Sequence, residues 1–434
     1  MRDWFTTPSR GLPSCVREWL ALAGRLTAIG GILTVGFVAL LVLATLIPNE
    51  PIIEHLKEAR PYLRPHRAAS PIPGRPIGTR GECIWLSLGV APSDDPGVLS
   101  RAIRASAIEA PEQCLWLSHW LRGGQFRGRD YFRYWHGYQI VTRPLLWATG
   151  YPVMRALNAA AVLGLFLGLM ALVWRRLGAR PALCLVASAA LMRFENPLFT
   201  LNHGAAWIIA LAAAILVLSW SGTAQWRAEF FFVVGALTTY FDLLTNPLAT
   251  LALPLLVIAL GCQNGEERPA ARQVRNMVFC GAMWALGYFG MWTVKFVLDV
   301  WVVGPGAWDN IVNQAVMHTV GETRYGRHTA WLSAVHNVAW YLRPAWRFWC
   351  VVAIVAVLLV RSLDAPWRQP SRWVGLALVA VLPFLWFAVF AHHSTLWSPV
   401  TSRYLFFTLA VFLFGATAPL SPTGVASLGQ LRDM

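Results

Sequence analysis

Two stretches of this chain concentrate the residue types that do chemistry. Arg80-Gly81-Glu82-Cys83-Ile84-Trp85-Leu86-Ser87 and Arg129-Asp130-Tyr131-Phe132-Arg133-Tyr134-Trp135-His136-Gly137-Tyr138 are denser in polar and aromatic functional groups than any other part of the sequence. A carboxylate such as Glu82 or Asp130 can take a proton from a hydroxyl nucleophile, and Trp85, Tyr134, Trp135, His136 and Tyr138 can stack on a sugar or hold a lipid. Each acid also has a plain structural use. Glu82 opens an apolar run, where a carboxylate complements a helix N-terminus, and Asp130 has Arg129 and Arg133 beside it for an ion pair. Further along, Lys295, His393 and Arg403 are cations in or beside apolar runs, and Arg324, Arg327 and His328 lie in a later polar segment. Phosphate is the anion such a set would hold, and snorkelling to the membrane interface is the ordinary alternative. Glu195 and Asp242 each precede a proline-bearing turn, where Asp242 also suits a helix cap. Walker, Rossmann, Ser-His-Asp and zinc-ligand spacings are missing, which argues against nucleotide-driven chemistry; a divalent cation remains an open requirement.

The elements that carry these groups belong to a membrane protein. Of 434 residues, 56% are hydrophobic and only 13% charged, and the mean hydropathy is +0.50. An ordinary soluble domain has about a quarter of its residues charged. Twenty-three tryptophans suit headgroup-level belts or sugar and lipid sites. The net charge of +15 is dispersed over short loops without a basic tract, so anionic lipid and topology explain it and nucleic acid does not.

Apolar runs of about 17 to 25 residues cross the hydrocarbon layer. Ten candidates lie near 26 to 47, 153 to 174, 181 to 194, 204 to 220, 229 to 241, 247 to 262, 277 to 299, 348 to 360, 374 to 391 and 404 to 420. Two of them, 181 to 194 and 229 to 241, are short and need polar flanks or a thinned bilayer. Arg175, Arg176, Arg180, Arg227, Arg268, Arg272, Arg275, Arg361, Arg368 and Arg372 fall on one side of this count, which makes that side cytoplasmic. The expected fold is therefore a single all-α polytopic membrane domain over residues 1–434, with both termini inside. A long first outer loop, 49–151, carries surface helices, and a second, 300–344, is polar. Seven prolines make the first third of the long loop irregular; helix begins near Glu82, and amphipathic helices follow over Leu99 to Ala110 and Glu112 to Leu121. Cys83 and Cys114 lie in the long loop, either as a disulfide that braces it or as two buried thiols.

With N-in first helix, long first outer loop bearing acids, and many later spans, the layout resembles the GT-C superfamily of membrane glycosyltransferases. Asp130 to Leu145 with its Tyr-Trp-His-Gly-Tyr and Arg-Pro-Leu-Leu cores, Tyr240 to Thr245, Met291 to Lys295, and His393-Ser394 with Arg403 resemble motifs of a bacterial membrane family of similar layout. The resemblance covers most of the chain after Leu26. It implies an inner-membrane enzyme with a periplasmic site, which transfers a sugar, arabinofuranose among the candidates, from a polyprenyl-phosphate donor. The acceptor would be a glycan, lipid or protein. It also implies an acid of the first outer loop as catalytic base, Glu82 before Asp130, although Gly81 and Cys83 stand where the common motif has paired acids. Lys295, His393, Arg403 and Arg327 would hold the donor phosphate, while Trp85, Tyr134, Trp135, His136, Tyr138, Asp242 and Glu195 would line sugar and lipid. Phosphate is a good leaving group, so one carboxylate suffices and single displacement inverts the anomeric centre. The competing expectations are a lipid-linked sugar transporter or flippase, and a noncatalytic assembly subunit; the inverted repeats common in transporters are not evident.

Overall fold

The computed structural model describes residues 14–63, 80–90, 95, 97–108, 113–125, 128–220, 227–262, 269–319, 321–323, 326–327, 329–361 and 370–418. The chain starts with α1 (Ser14–Thr45), and the long loop then supplies α2 (Asn49–Ala59), α3 (Arg80–Val90), α4 (Val98–Arg104), α5 (Gln113–Trp120) and α6 (Gln139–Ala148). The bundle continues with α7 (Tyr151–Leu177), α8 (Ala179–Leu191), α9 (Glu195–Phe199), α10 (Leu201–Ser219), α11 (Arg227–Phe241), α12 (Pro247–Gly261) and α13 (Ala270–Val303). It ends with α14 (Gly306–Thr319), α15 (Ala330–Leu342), α16 (Ala345–Arg361), α17 (Pro370–Val389), α18 (Ala391–Leu396), α19 (Ser398–Thr401) and α20 (Leu405–Ala416).

The fold is all-helical, as the hydropathy pattern requires. Five helices are long and apolar enough to cross a membrane, or six if the pair α15 and α16, bent by 110°, counts as one span. Four further apolar helices of the bundle, α8, α11, α12 and α17, are shorter than a full crossing by this measure. Large apolar side chains such as Ile32, Val35, Leu163, Leu167, Val297 and Leu385 point outward, and lipid is the solvent in which an apolar outer surface costs nothing.

Small residues let the central helices approach. A Cβ on Gly235 would fall 2.1 Å from the carbonyl oxygen of Trp284, and one on Gly287 would fall 2.0 Å from that of Phe232, so α11 and α13 pack backbone to backbone. Thr239 closes the contact by donating to the carbonyl of Tyr288 at 2.6 Å.

The described part of the loop is not purely helical, and the irregular chain expected around Pro65, Pro71, Pro73 and Pro76 lies outside the described residues. Residues 49–59 form α2 where irregular chain was expected, because Pro51 occupies the first turn, where its missing N–H is no loss. The helix expected from Leu99 to Ala110 stops at Arg104. Ala105 then takes φ +47°, and Ser106–Ile108 (β1) pairs antiparallel with Gly128–Asp130 (β2). A second short pair joins Glu322–Thr323 (β3) to Gly326–Arg327 (β4). Cys83 and Cys114 are joined in a disulfide, with Cα atoms 5.1 Å apart, which ties α3 to α5.

Arg143 explains the Arg-Pro-Leu-Leu motif. Its buried guanidinium donates to the carbonyls of Ala44 (2.7 Å), Ile47 and Gly89 and to Asn49 Oδ1 (2.8 Å). Ala44 and Gly89 lie in the last turns of α1 and α3 and Ile47 just past α1, where intrahelical donors run out, and the Ala44 carbonyl also takes the N–H of Ile47 at 3.2 Å. One side chain thus fastens the loop to the first membrane helix.

Candidate functional site

The site residues gather at the end of the bundle that carries the loop, around the N-terminus of α10. Glu82, in the first turn of α3, is wholly buried. Its Oε1 accepts from the backbone N–H of Leu201 at 3.3 Å, and its Oε2 makes no hydrogen bond of ordinary geometry, although the Tyr151 hydroxyl is near enough to act on the carboxyl. Burial pushes its carboxyl above the usual range, opposed by the Arg155 guanidinium, the Leu201 N–H and the Tyr151 hydroxyl. Gly81 makes this seat possible, since a Cβ there would fall 2.4 Å from Asn202 Nδ2 on α10.

Next to this carboxylate lies an apolar cavity of about 380 Å³, between α6, α7 and α10. Leu201, the residue that donates to Glu82, is part of its wall, as are Leu157, Ile208 and Ile209. Trp85, one helical turn from Glu82, stacks on Tyr138 with ring centroids 3.8 Å apart and planes 12° apart, and both rings line the cavity. A carboxylate with one unpaired oxygen thus stands beside an apolar space of small-ligand size.

Two residues further along α10, His203 begins a second polar group. Arg403 Nη1 lies 3.1 Å from His203 Nε2, and the Asn246 amide lies 2.6 Å from His203 Nδ1. Arginine cannot accept, so Nε2 is the acceptor and Nδ1 carries the proton; the amide is then assigned with its oxygen toward the ring. Asp242, in the turn between α11 and α12, accepts from the backbone N–H groups of Thr245 (2.7 Å) and Asn246 (3.1 Å) and tightens that turn around Leu244, whose φ is +62°. Burial raises the Asp242 carboxyl to about 7 despite these donors. Glu195 takes the Nε–H of Arg193 at 2.8 Å, and the charges of both act on Arg403.

The aromatic motif of the loop is mainly a dock. Gly137 lies so close to α11 that a Cβ would fall 2.2 Å from the ring of Tyr240, and its N–H donates to the Tyr240 carbonyl at 2.7 Å. His136 holds the turn at φ +56° by donating Nε2–H to the carbonyl of Tyr131 at 2.7 Å. Trp135, expected on sugar or lipid, is instead fully enclosed. Its Nε1–H donates to the Met291 carbonyl at 2.8 Å and its ring packs against Phe37 and Tyr240, so no face is left for a ligand. Tyr134 is buried close enough to Arg133 and Asp242 to feel both charges, which places it within the polar group.

Two expected ligands of the donor phosphate have other work. Lys295 is completely buried on α13 and donates to the carbonyls of Ile103 and Phe132 and to Asp299. An ammonium has three donors, so none remains for a phosphate. His393 donates Nε2–H to the Leu244 carbonyl at 3.1 Å while Arg403 holds His203, so the pair has separate partners. The Arg327 backbone lies in β4, and its side chain, with Arg324, His328 and the side chain of Arg129, falls outside the described residues. Asp130 sits in β2, with its side chain 40% exposed and 3.0 Å from Arg104. Asp95 pairs with the same arginine, which makes Asp130 part of a surface ion-pair group away from Glu82's contacts.

Sequence reasoning passed over His203 and His318, and read Arg133 only as an ion-pair partner of Asp130. His203 follows the Pro197-bearing turn and begins an apolar run, a signal of the kind that flagged Asp242. Among the described residues no cluster of three or more His, Cys, Asp or Glu side chains is placed to hold a metal ion. Compared with protein-family models, curated proteins and solved structures, the chain gives no match. What the fold itself defines is an all-helical chain with several membrane-length helices.

Proposed function

We propose that this protein is a GT-C-type membrane glycosyltransferase that moves a sugar from a polyprenyl-phosphate donor to an acceptor hydroxyl. The reaction takes place on the periplasmic face of a bacterial inner membrane. On this reading the bent pair and the four shorter apolar helices also cross, which gives about ten spans. The observation that carries it is the Glu82 seat: a buried carboxylate with one unpaired oxygen, beside an apolar cavity of about 380 Å³ that shares a wall residue with it. An enzyme acting on a lipid-linked substrate needs that juxtaposition, because the lipid must be held where water is excluded and the base must be ionisable there.

In the proposed step Glu82 removes the proton from the acceptor hydroxyl as its oxygen attacks the anomeric carbon. The bond from that carbon to the phosphate oxygen breaks, and the electron pair leaves with the phosphate. The raised affinity of Glu82 for protons suits a base that must hold the proton it takes. Trp85 and Tyr138 line the lipid slot, and the His203–Arg403 pair supplies positive charge at the same end.

The test is transfer by the purified full chain in lipid nanodiscs, with synthetic polyprenyl-phosphate sugars that include arabinofuranose and several hexoses. Transfer from at least one donor, with inverted configuration, is expected, and Glu82→Gln abolishes it. Movement of the intact lipid-linked sugar across a vesicle bilayer with no bond broken would replace this reading with a transporter.

A further inference from the structure

The bundle carries a second apolar recess, at the end where α7 finishes, away from the long loop. It is a groove of about 470 Å³ over α20, between the last turns of α16 and the first turns of α17, lined by Leu358, Leu359, Trp373, Ala377, Val381 and Phe412. Leu359, Ala377 and Val381 are exposed along it, so it opens outward. From Trp373 to Val381 the helix rises about 12 Å, close to the ~15 Å depth of one hydrocarbon leaflet. Two guanidiniums flank the end of α20 where this groove finishes. Arg361, one helical turn beyond Leu358, donates Nη1–H to the carbonyl of Ala418. Arg180, in the first turn of α8, lies over the ring of Phe414, 4.0 Å from its centroid. That ring packs against Trp373 of the groove, with centroids 6.1 Å apart. Cys184 Sγ, 3.4 Å from Thr417 Oγ1, holds α8 to the same end of α20.

We infer that this groove binds an anionic phospholipid of the adjoining leaflet, with an acyl chain along Trp373, Ala377 and Val381 and the headgroup phosphate at Arg180 and Arg361. Each arginine also has a structural use, Arg361 on the last carbonyls of α20 and Arg180 in stacking. Neither use consumes the guanidinium fork. The bond to Ala418 takes one of five N–H groups of Arg361, and a guanidinium lying on a ring keeps its N–H edge for phosphate oxygens. An apolar slot one leaflet deep suits an acyl chain, and the cations at its end select the headgroup. A zwitterionic lipid offers the same phosphate but carries an amine cation beside it, which two guanidiniums repel. An apolar helix from a second copy would cover the groove and bring no anion to the arginines. The same end carries Arg175 and Arg176 in the last turn of α7. Such an excess of arginine marks the cytoplasmic side, whose leaflet is the anionic one. The site lies at the other end of the bundle from Glu82 and holds whether or not the chain transfers a sugar.

The experiment is native mass spectrometry of the purified full chain in detergent, with added phosphatidylglycerol or phosphatidylcholine of equal chain length. Wild type retains phosphatidylglycerol about tenfold or more tightly than phosphatidylcholine. Arg180→Gln combined with Arg361→Gln removes that preference, at about fivefold per arginine, while Arg122→Gln on the exposed loop leaves it unchanged. Ala377→Phe, at an exposed position, fills the groove and lowers retention of both lipids. Thermal unfolding monitors the fold of each variant. Should the double arginine variant not fold, Ala377→Phe, which leaves both arginines in place, decides the site. Equal retention of the two lipids by wild type, an undiminished preference in the folded double variant, or unchanged retention by Ala377→Phe overturns it. A wild-type chain that is dimeric and lipid-free, and monomeric with Ala377→Phe, also overturns it and assigns the groove to a second copy.

Discussion

Lys295 and Glu82 are both completely buried at the loop-bearing end, yet the protein treats the two charges differently. Lys295 meets Asp299 and two carbonyls and is fully satisfied. Through these bonds it clamps α4 and the loop at Phe132 to α13. Glu82 accepts one backbone hydrogen bond and keeps a second oxygen without a partner, beside an apolar cavity. A buried ionisable group that is fully partnered holds a fold together. One that is left under-partnered costs stability and is kept where the charge has another use. Within one motif, Asp130 is paired at the surface, whereas the half-buried Arg133 makes no ion pair among the described residues and lies over the Tyr131 ring.

Four substitutions press on this difference, in falling order of effect. Glu82→Gln lowers the transfer rate by about 10²–10⁴-fold, the span of a lost general base, and leaves thermal stability equal or higher because a costly buried carboxylate is gone. Equal loss of both would make Glu82 structural, like Lys295. Lys295→Met lowers stability by about 3–5 kcal/mol by stranding Asp299, and adding Asp299→Leu recovers much of it. A denaturation series on the single and double variants reads this, and no recovery in the double variant would mean that the two carbonyl bonds matter more than the ion pair. Reducing the disulfide, or Cys83→Ser with Cys114→Ser, removes a constraint between residues 31 apart and costs about 3 kcal/mol, seen as a lower unfolding midpoint with reductant. Asp130→Asn changes stability by less than about 1 kcal/mol and leaves transfer unaltered, as an exposed ion pair should. A large loss of transfer there would move the base from α3 to β2.

What the sequence made legible follows from which forces are local. Membrane-length apolar runs and the loop between α1 and α7 can be read from hydropathy alone, and the Cys83–Cys114 bond was one of two open alternatives. Glu82 stood out as a carboxylate at the edge of an apolar helix, but its burial depends on α10, more than a hundred residues away, against which Gly81 packs. The roles of Lys295 and Trp135 were hidden for the same reason. Their partners are backbone carbonyls of distant segments, Phe132 and Met291, and carbonyls carry no sequence signature. Arg133 reads in sequence as one half of an ion pair with Asp130, whereas the β1–β2 pairing hands Asp130 to Arg104.

The most direct measurement follows transfer rate and thermal stability together against pH, for wild type and Glu82→Gln. A carboxyl whose proton affinity is raised in the folded state binds more protons folded than unfolded. Stability therefore falls as pH rises upward from the ordinary glutamate value of 4.5, while transfer rises as the base ionises. Asp242, raised to about 7, adds a slope of the same sign to both proteins, so the difference between them isolates Glu82. The predicted result is opposed slopes in wild type, with a shallower stability slope and no transfer in Glu82→Gln. Transfer by Glu82→Gln at the wild-type rate, or identical stability slopes in the two proteins, would contradict it.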